Sequence, residues 1–293
     1  MTSSVSTIGF GEAASAFAEG WVAAGLAVHA YDRKTDSAQT VFAKRADFDR
    51  VGVQGCESTA DCIATSGLVL CLVTADQATA AAREAAMSLA PGTLWLDMNS
   101  VAPDTKRTAA RVIEAVGGRY VDVAVLSPVL PKRLNAPLMV SGPHAAEAAR
   151  RLADIGFTDI TIVEGGVGAA AAVKMIRSVM IKGIEALSAE CAIAADRAGV
   201  METVIASLDA SWPGADWGNR LDYNLDRMMV HGLRRAAEME ESVATLDSLG
   251  VGSTMTRGTV ALQHSLGALG IDPPDGLAAK LAALAPRAEE AAE

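Results

Sequence analysis

The sequence predicts a chain in two parts: an α/β half, residues 1–164, built on a doubly wound and mostly parallel sheet, and an all-α half, residues 165–293. Three observations predict it. A glycine-rich turn joins the first strand-like run to the first helical one, strand-like and helical runs then alternate as far as Val163, and after Glu164 the strand pattern stops. A length of 293 residues exceeds the usual reach of a single core, so two domains are expected.

The first strand, ending Ser6-Thr7-Ile8, runs into Gly9-Phe10-Gly11-Glu12-Ala13-Ala14, the G-x-G-x-x-A form of the dinucleotide fingerprint. Gly9 permits the tight turn, Gly11 lets backbone approach a pyrophosphate, and Ala14 lets the next helix pack close to the strand with its N-terminus facing the anion. Alone, the motif is weak. Here a helical stretch from Ala13 to Ala24 follows, then Gly25, then the strand Ala27–Tyr31 ending at Asp32. That is the βαβ order of a Rossmann unit, with an acid about twenty residues past the glycines to meet the ribose hydroxyls. The carboxylate of Asp32 repels a 2′-phosphate and so favours NAD, while Arg33 and Lys34 could turn toward such a phosphate and keep NADP open.

The alternation continues through the strand Gly67–Val73, a helix opened by Thr74-Ala75-Asp76, the strand Thr93–Met98 and a helix from Pro103 to Val116. Strands over Arg119–Val125 and Leu138–Ser141, a helix from Pro143 to Asp154 and a short strand Asp159–Val163 complete the half. Ligands of such sheets sit beyond the carboxyl ends of the strands. Val73, Thr74 and Asn99 therefore join Gly9, Phe10, Gly11, Glu12, Ala13, Asp32 and Arg33 as candidate cofactor contacts, with Ser100 and Ser127 beside them. For each polar one, a loop hydrogen bond or helix cap is an equally good role.

In the second half, Gly165-Gly166-Val167-Gly168 leads into a helix reaching about Arg197, apolar on most of its circumference and therefore buried in the molecule or between subunits. Lys174, Arg177, Ser178, Lys182 and Glu185 share one side of it, where a solvated stripe is the plain alternative. Lys174 stands early in the helix, among alanines, and is a candidate for proton transfer. The run His231 to Glu238 is expected to open a further helix with a basic first turn, which the helix dipole disfavours. An anionic substrate at Arg234, or ion pairs with Glu238 or Glu241, would each account for it. Asp272-Pro273-Pro274 breaks the chain before a last amphipathic helix and an acidic tail.

Composition bounds the function. Hydrophobic residues at 51% with aromatics at only 4% suit packed helices and a buried parallel sheet, and a net charge of -10 argues against a nucleic-acid partner. The four cysteines form no C-x-x-C pair and the N-terminus has no targeting pattern, so a reducing cytoplasm is expected. Val167 to Ala195 carries five charges too many for a membrane span (Lys174, Arg177, Lys182, Glu185 and Glu190), and the scattered histidines predict no metal site.

The assembled pattern resembles the β-hydroxyacid dehydrogenase superfamily, which includes 3-hydroxyisobutyrate and 6-phosphogluconate dehydrogenases. The resemblance spans essentially the whole chain, through Gly9-Phe10-Gly11 with Ala14, Asp97-Met98-Asn99-Ser100, and Gly166-Val167-Gly168 followed by Lys174. Lys174-Met175-Ile176-Arg177-Ser178 and His231-Gly232-Leu233-Arg234-Arg235 look more like a bacterial branch with a phosphogluconate dehydrogenase-like C-terminal domain. The resemblance implies that Lys174 is the general acid/base, taking the proton from a β-hydroxyl as hydride leaves the same carbon. It implies a small anionic substrate near Ser100, Ser127, Arg177, Ser178 and Arg234, and a helical domain that helps form a homodimer. Three positions depart from the pattern. The usual Asp-Ala-Pro-Val-Ser-Gly-Gly loop is Asp122 to Pro128, and Pro128 has no N–H to offer a carboxylate. The expected asparagine after the lysine is Ser178, and the C-terminal Lys-Asp pair is Arg234-Arg235. An imine reductase and a non-catalytic dinucleotide sensor therefore stand as alternative readings.

Overall fold

A computed structural model describes residues 4–285, so the end of the acidic tail lies outside the described residues. The chain forms two compact units, Met1–Met175 and Ile176–Glu293. Their boundary falls inside one continuous helix rather than at the end of the strand pattern.

In the first unit, eight strands form one sheet: β1 (Ser4–Ile8), β2 (Ala27–Tyr31), β3 (Gln54–Gly55), β4 (Leu68–Cys71), β5 (Leu94–Asp97), β6 (Arg119–Val125), β7 (Leu138–Ser141) and β8 (Ile160–Ile162). Their order is β3-β2-β1-β4-β5-β6-β7-β8. Every pairing is parallel except β6 with β7, where Asp122 lies opposite Ser141. The chain leaves β1 in one direction to β2 and β3, then returns to β4 on its other side, so the crevice where such sheets bind ligands opens between the ends of β1 and β4.

Helices cover both faces. On one, α1 (Glu12–Ala23), α2 (Val41–Val51) and α6 (Ala145–Asp154) bury Phe17, Trp21, Phe48 and Leu152 with Phe157. On the other, α3 (Thr59–Ile63), α4 (Ala78–Ala86) and α5 (Pro103–Glu114) bury Ile63, Ala82, Ala109 and Ile113 against Trp95 and Tyr120. With both faces covered, β4 and β5 are buried at every residue, which is why they read as unbroken apolar runs.

The helix α7 (Ala169–Arg197) crosses the unit boundary, and the second unit continues with α8 (Met201–Ser211), α9 (Trp217–Ser248), α10 (Thr254–Ala268) and α11 (Leu277–Ala283). Its core joins Ala186, Ala189 and Ala192 of α7 to Leu221, Leu225 and Met228 of α9, with Leu266 and Leu281. The expected helix start at His231 is corrected: α9 is unbroken, and His231 to Glu238 lie mid-helix, away from any N-terminal dipole. Gly232 is there for packing. A Cβ on it would fall 2.3 Å from the carbonyl oxygen of Gln263, so α9 and α10 meet backbone to backbone.

Candidate dinucleotide and catalytic site

The glycine turn is held from several sides. Gly9 adopts φ +88°, and a Cβ there would lie 2.4 Å from the Leu72 carbonyl oxygen, so only glycine lets β1 pass the exit of β4. Its N–H donates to the Tyr31 carbonyl at 2.8 Å. The carboxylate of Asp32 accepts the Phe10 N–H at 2.8 Å and the Lys34 N–H at 3.0 Å, tying the turn to the end of β2. From the other side the buried Lys44 ammonium donates to the Phe10 carbonyl at 2.8 Å and to Asp47 at 2.8 Å. That donation holds the Asp47 carboxyl below its ordinary range. The Phe10 ring packs edge-on against Phe48, centroids 5.0 Å apart.

These residues fit a dinucleotide. A Cβ on Gly11 would meet nothing within 4 Å, and Gly11 precedes α1 without offering a side-chain cap, so no side chain caps its first-turn amides. Each Asp32 oxygen accepts one N–H and keeps a lone pair for a ribose hydroxyl. Phe10, Gly11, Glu12, Lys34 and Lys44 line a cavity of about 400 Å³. Arg33 is drawn aside to Gln77. Ala13, in the first turn of α1, packs partly buried against the core.

At the strand ends, Asn99 is buried. Its Oδ1 accepts the Val73 N–H at 2.7 Å and its Nδ2 donates to Cys71 Sγ at 3.3 Å, so it stitches the end of β4 to the end of β5. Gly9, Val73 and Asn99 are thus brought together. Thr74 is exposed and donates to Asp76, holding that carboxyl below its usual range. Ser127 turns its hydroxyl to the Pro128 carbonyl at 3.1 Å. Ser100 differs: its Oγ is buried and has no hydrogen-bond partner among the described residues.

The N-terminal turn of α7 starts close by. A Cβ on Gly168 would lie 3.1 Å from Pro103 Cβ, at the start of α5 and just past the end of β5. Asp122 Oδ2 accepts the N–H groups of Gly168 at 3.1 Å and Ala171 at 3.0 Å, and Ser141 Oγ accepts that of Ala170 at 3.0 Å. Lys174, half-buried, follows within the next turn, in the first unit. In the second unit, Ser178 is buried one turn further along α7, Arg177 is exposed, and Arg234 is exposed and paired with Glu238 at 2.9 Å. Arg235 is buried on Glu185, whose Oε2 also accepts from Gln263 at 3.1 Å. Lys182 pairs with Glu238 at 2.7 Å, and burial pushes its pKa down. Reading the sequence alone missed Lys44, Lys106 and the role of Asp122; a lysine between charged neighbours reads as solvated.

Residues 4–161 match the family described as the NAD binding domain of 6-phosphogluconate dehydrogenase. The chain belongs to that family. Residues 195–266 match a domain of unknown function, DUF1932. Among solved structures, this chain is similar to a conserved hypothetical protein from Sinorhizobium meliloti 1021, at 36% identity and TM-score 0.78 over 97% of this chain and 96% of that one. It shares its fold with Mycobacterium tuberculosis 3-hydroxyisobutyrate dehydrogenase (16% identity, TM-score 0.76, 98% and 100% covered). The same holds for a Streptomyces aurantiacus imine reductase (21%, 0.58, 97% and 100%). No curated protein matches the chain. Among the described residues no cluster of His, Cys, Asp or Glu could hold a metal, and no helix is long and apolar enough to cross a membrane.

Proposed function

We infer that this chain is an NAD(P)-dependent oxidoreductase acting on a small β-hydroxy acid, or on the matching semialdehyde or keto acid, with Lys174 as general acid/base. The observation that carries the reading is that one compact unit holds both the uncapped glycine turn and a half-buried lysine, on a helix whose start packs on the first residue of α5 and is tied to β6 through Asp122. A nicotinamide dinucleotide, when bound, supplies or accepts the hydride. Gly9, Gly11 and the first turn of α1 hold its pyrophosphate, and Asp32 its ribose. Lys174 Nζ takes the hydroxyl proton in the oxidative direction and returns it in the reductive one, and Ser100 Oγ offers a hydrogen bond at the strand end. NAD is the preferred form, because Asp32 fixes a negative charge at the ribose while Arg33 is engaged by Gln77. The substrate is a small anion, with Ser127, Arg177, Ser178 and Arg234 as further candidate contacts, and the protein acts as a homodimer in the cytoplasm.

Lys174→Ala tests the reading. It should lower turnover by about 10²–10⁴, the loss expected for a general acid/base, while NADH affinity measured by tryptophan quenching stays unchanged. Undiminished turnover would remove Lys174 from the reaction.

A further inference from the structure

Asp122 is wholly buried in the sheet, yet every contact of its Oδ2 is a donor: Ser141 Oγ at 3.0 Å and the N–H groups of Gly168 at 3.1 Å and Ala171 at 3.0 Å. Ser141 Oγ relays by accepting from Ala170 at 3.0 Å. The first amides of a helix have no partner within it and are ordinarily capped by the residue next door. In α7 the caps arrive from β6 and β7, so the start of this helix is bolted to the sheet rather than closed on itself.

The bolt belongs to a larger buried network. Lys106 Nζ lies 3.5 Å from Asp122 Oδ1 and 2.9 Å from Asp97 Oδ1, and Asp97 Oδ2 accepts the Tyr120 hydroxyl at 2.6 Å. Burial holds the Tyr120 pKa well above its ordinary value, so the hydroxyl stays a donor. Two carboxylates and one ammonium leave one net negative charge in a dry interior, and the positive end of α7 is placed to balance it. Buried ion pairs are often replaceable by packed apolar residues without loss of stability, so stability alone does not account for the network. What the charged network adds is a fixed position and direction for the first turn of α7. Lys174 stands three residues beyond the last bolted amide.

We propose that Asp122 is a positioning residue for Lys174, holding the first turn of α7 so that the lysine's place on the helix stays fixed relative to the sheet. The proposal rests on the reading of Lys174 as the proton-transfer group. Its action is indirect: Asp122 exchanges no proton and is shielded from substrate.

Amide hydrogen exchange of Asp122→Asn comes first, because it needs no substrate. Exchange over residues 168–174 should rise at least tenfold while that of α1 stays unchanged; unchanged exchange over 168–174 overturns the proposal. Turnover then follows for Asp122→Asn, Lys174→Ala and the double variant, with NADH and NADPH and three- to five-carbon semialdehyde acids as probes. Asp122→Asn should lower kcat about a hundredfold with cofactor affinity unchanged, and should cost nothing further once Lys174 is gone. Costs that multiply in the double variant would leave Lys174 catalytic and overturn the role of Asp122. Full turnover in Lys174→Ala would sink the proposed function and this proposal with it, and the persisting exchange signal would tell that outcome from a missing bolt. Ser141→Ala, which removes one link and keeps the charge, carries the same cycle with a loss of about fivefold should Asp122→Asn fail to fold.

Discussion

At the scale of single residues, the Phe10 peptide shows how the turn is kept rigid. Asp32 takes its N–H and Lys44 its C=O, so two charged side chains grip one residue's backbone from opposite sides. Asp32 was legible because its distance from the glycines is diagnostic; Lys44 was not, because nothing in the charged stretch Lys44 to Arg50 marks which cation folds inward. On the proposed reading, Asp32→Ala should weaken NAD binding by about tenfold, the value of a charge-assisted hydrogen bond, and NADP binding less. Parallel titrations check it, and equal losses would undo the preference for NAD. Asp47 offers a pH test. Its carboxyl titrates below the ordinary value through donation from Lys44, so it adds stability above about pH 4, and that contribution is lost as pH falls through its lowered folded value. The side chain is 42% exposed, which limits the effect to about 0.5 kcal/mol. Unfolding of Asp47→Asn and the parent should therefore differ at neutral pH and converge in strong acid.

At the scale of elements, Gly232 is the sharpest case. Glycine in mid-helix lowers helix propensity by about 1 kcal/mol, and the sequence predicts a helix start at the neighbouring His231. The structure retains the glycine because α10 leaves no room: a Cβ would also lie 2.7 Å from Gly267 Cα, and backbone cannot step aside as a side chain can. Gly232→Ala should destabilise the protein by about 1–3 kcal/mol or more, read from urea unfolding; a neutral result would mean the helices slide apart freely. The strands Arg119–Val125 and Leu138–Ser141 were read to the residue, because buried β-rich runs between turn residues carry their own punctuation. Between Asp32 and Gly67 the sequence reading found no elements, although α2, β3 and α3 lie there. α2 carries charge on most of its surface, β3 is an edge strand of two residues, and α3 is barely more than a turn, so none repeats apolar residues often enough to declare a period. The bolt from Asp122 was hidden for another reason: its partners lie 46 and 49 positions away, beyond any local pattern.

At the scale of the whole molecule, the second unit exposes Ile176, Met180, Ile184 and Leu187 at spacings of four, four and three, one stripe along α7. An apolar stripe of that kind calls for a partner surface, which supports the proposed homodimer. Light scattering should give the mass of a dimer for the parent and of a monomer for Met180→Glu; a parent that runs as a monomer would end that proposal. The place where the two units part carries a different consequence. A genetic crossover after Met175 would exchange the entire helical unit yet leave the glycine turn, the Asp122 bolt and Lys174 on one inherited segment. Cofactor grip and proposed proton transfer would then be inherited together, while the proposed substrate contacts Arg177, Ser178 and Arg234 would change with the helical unit.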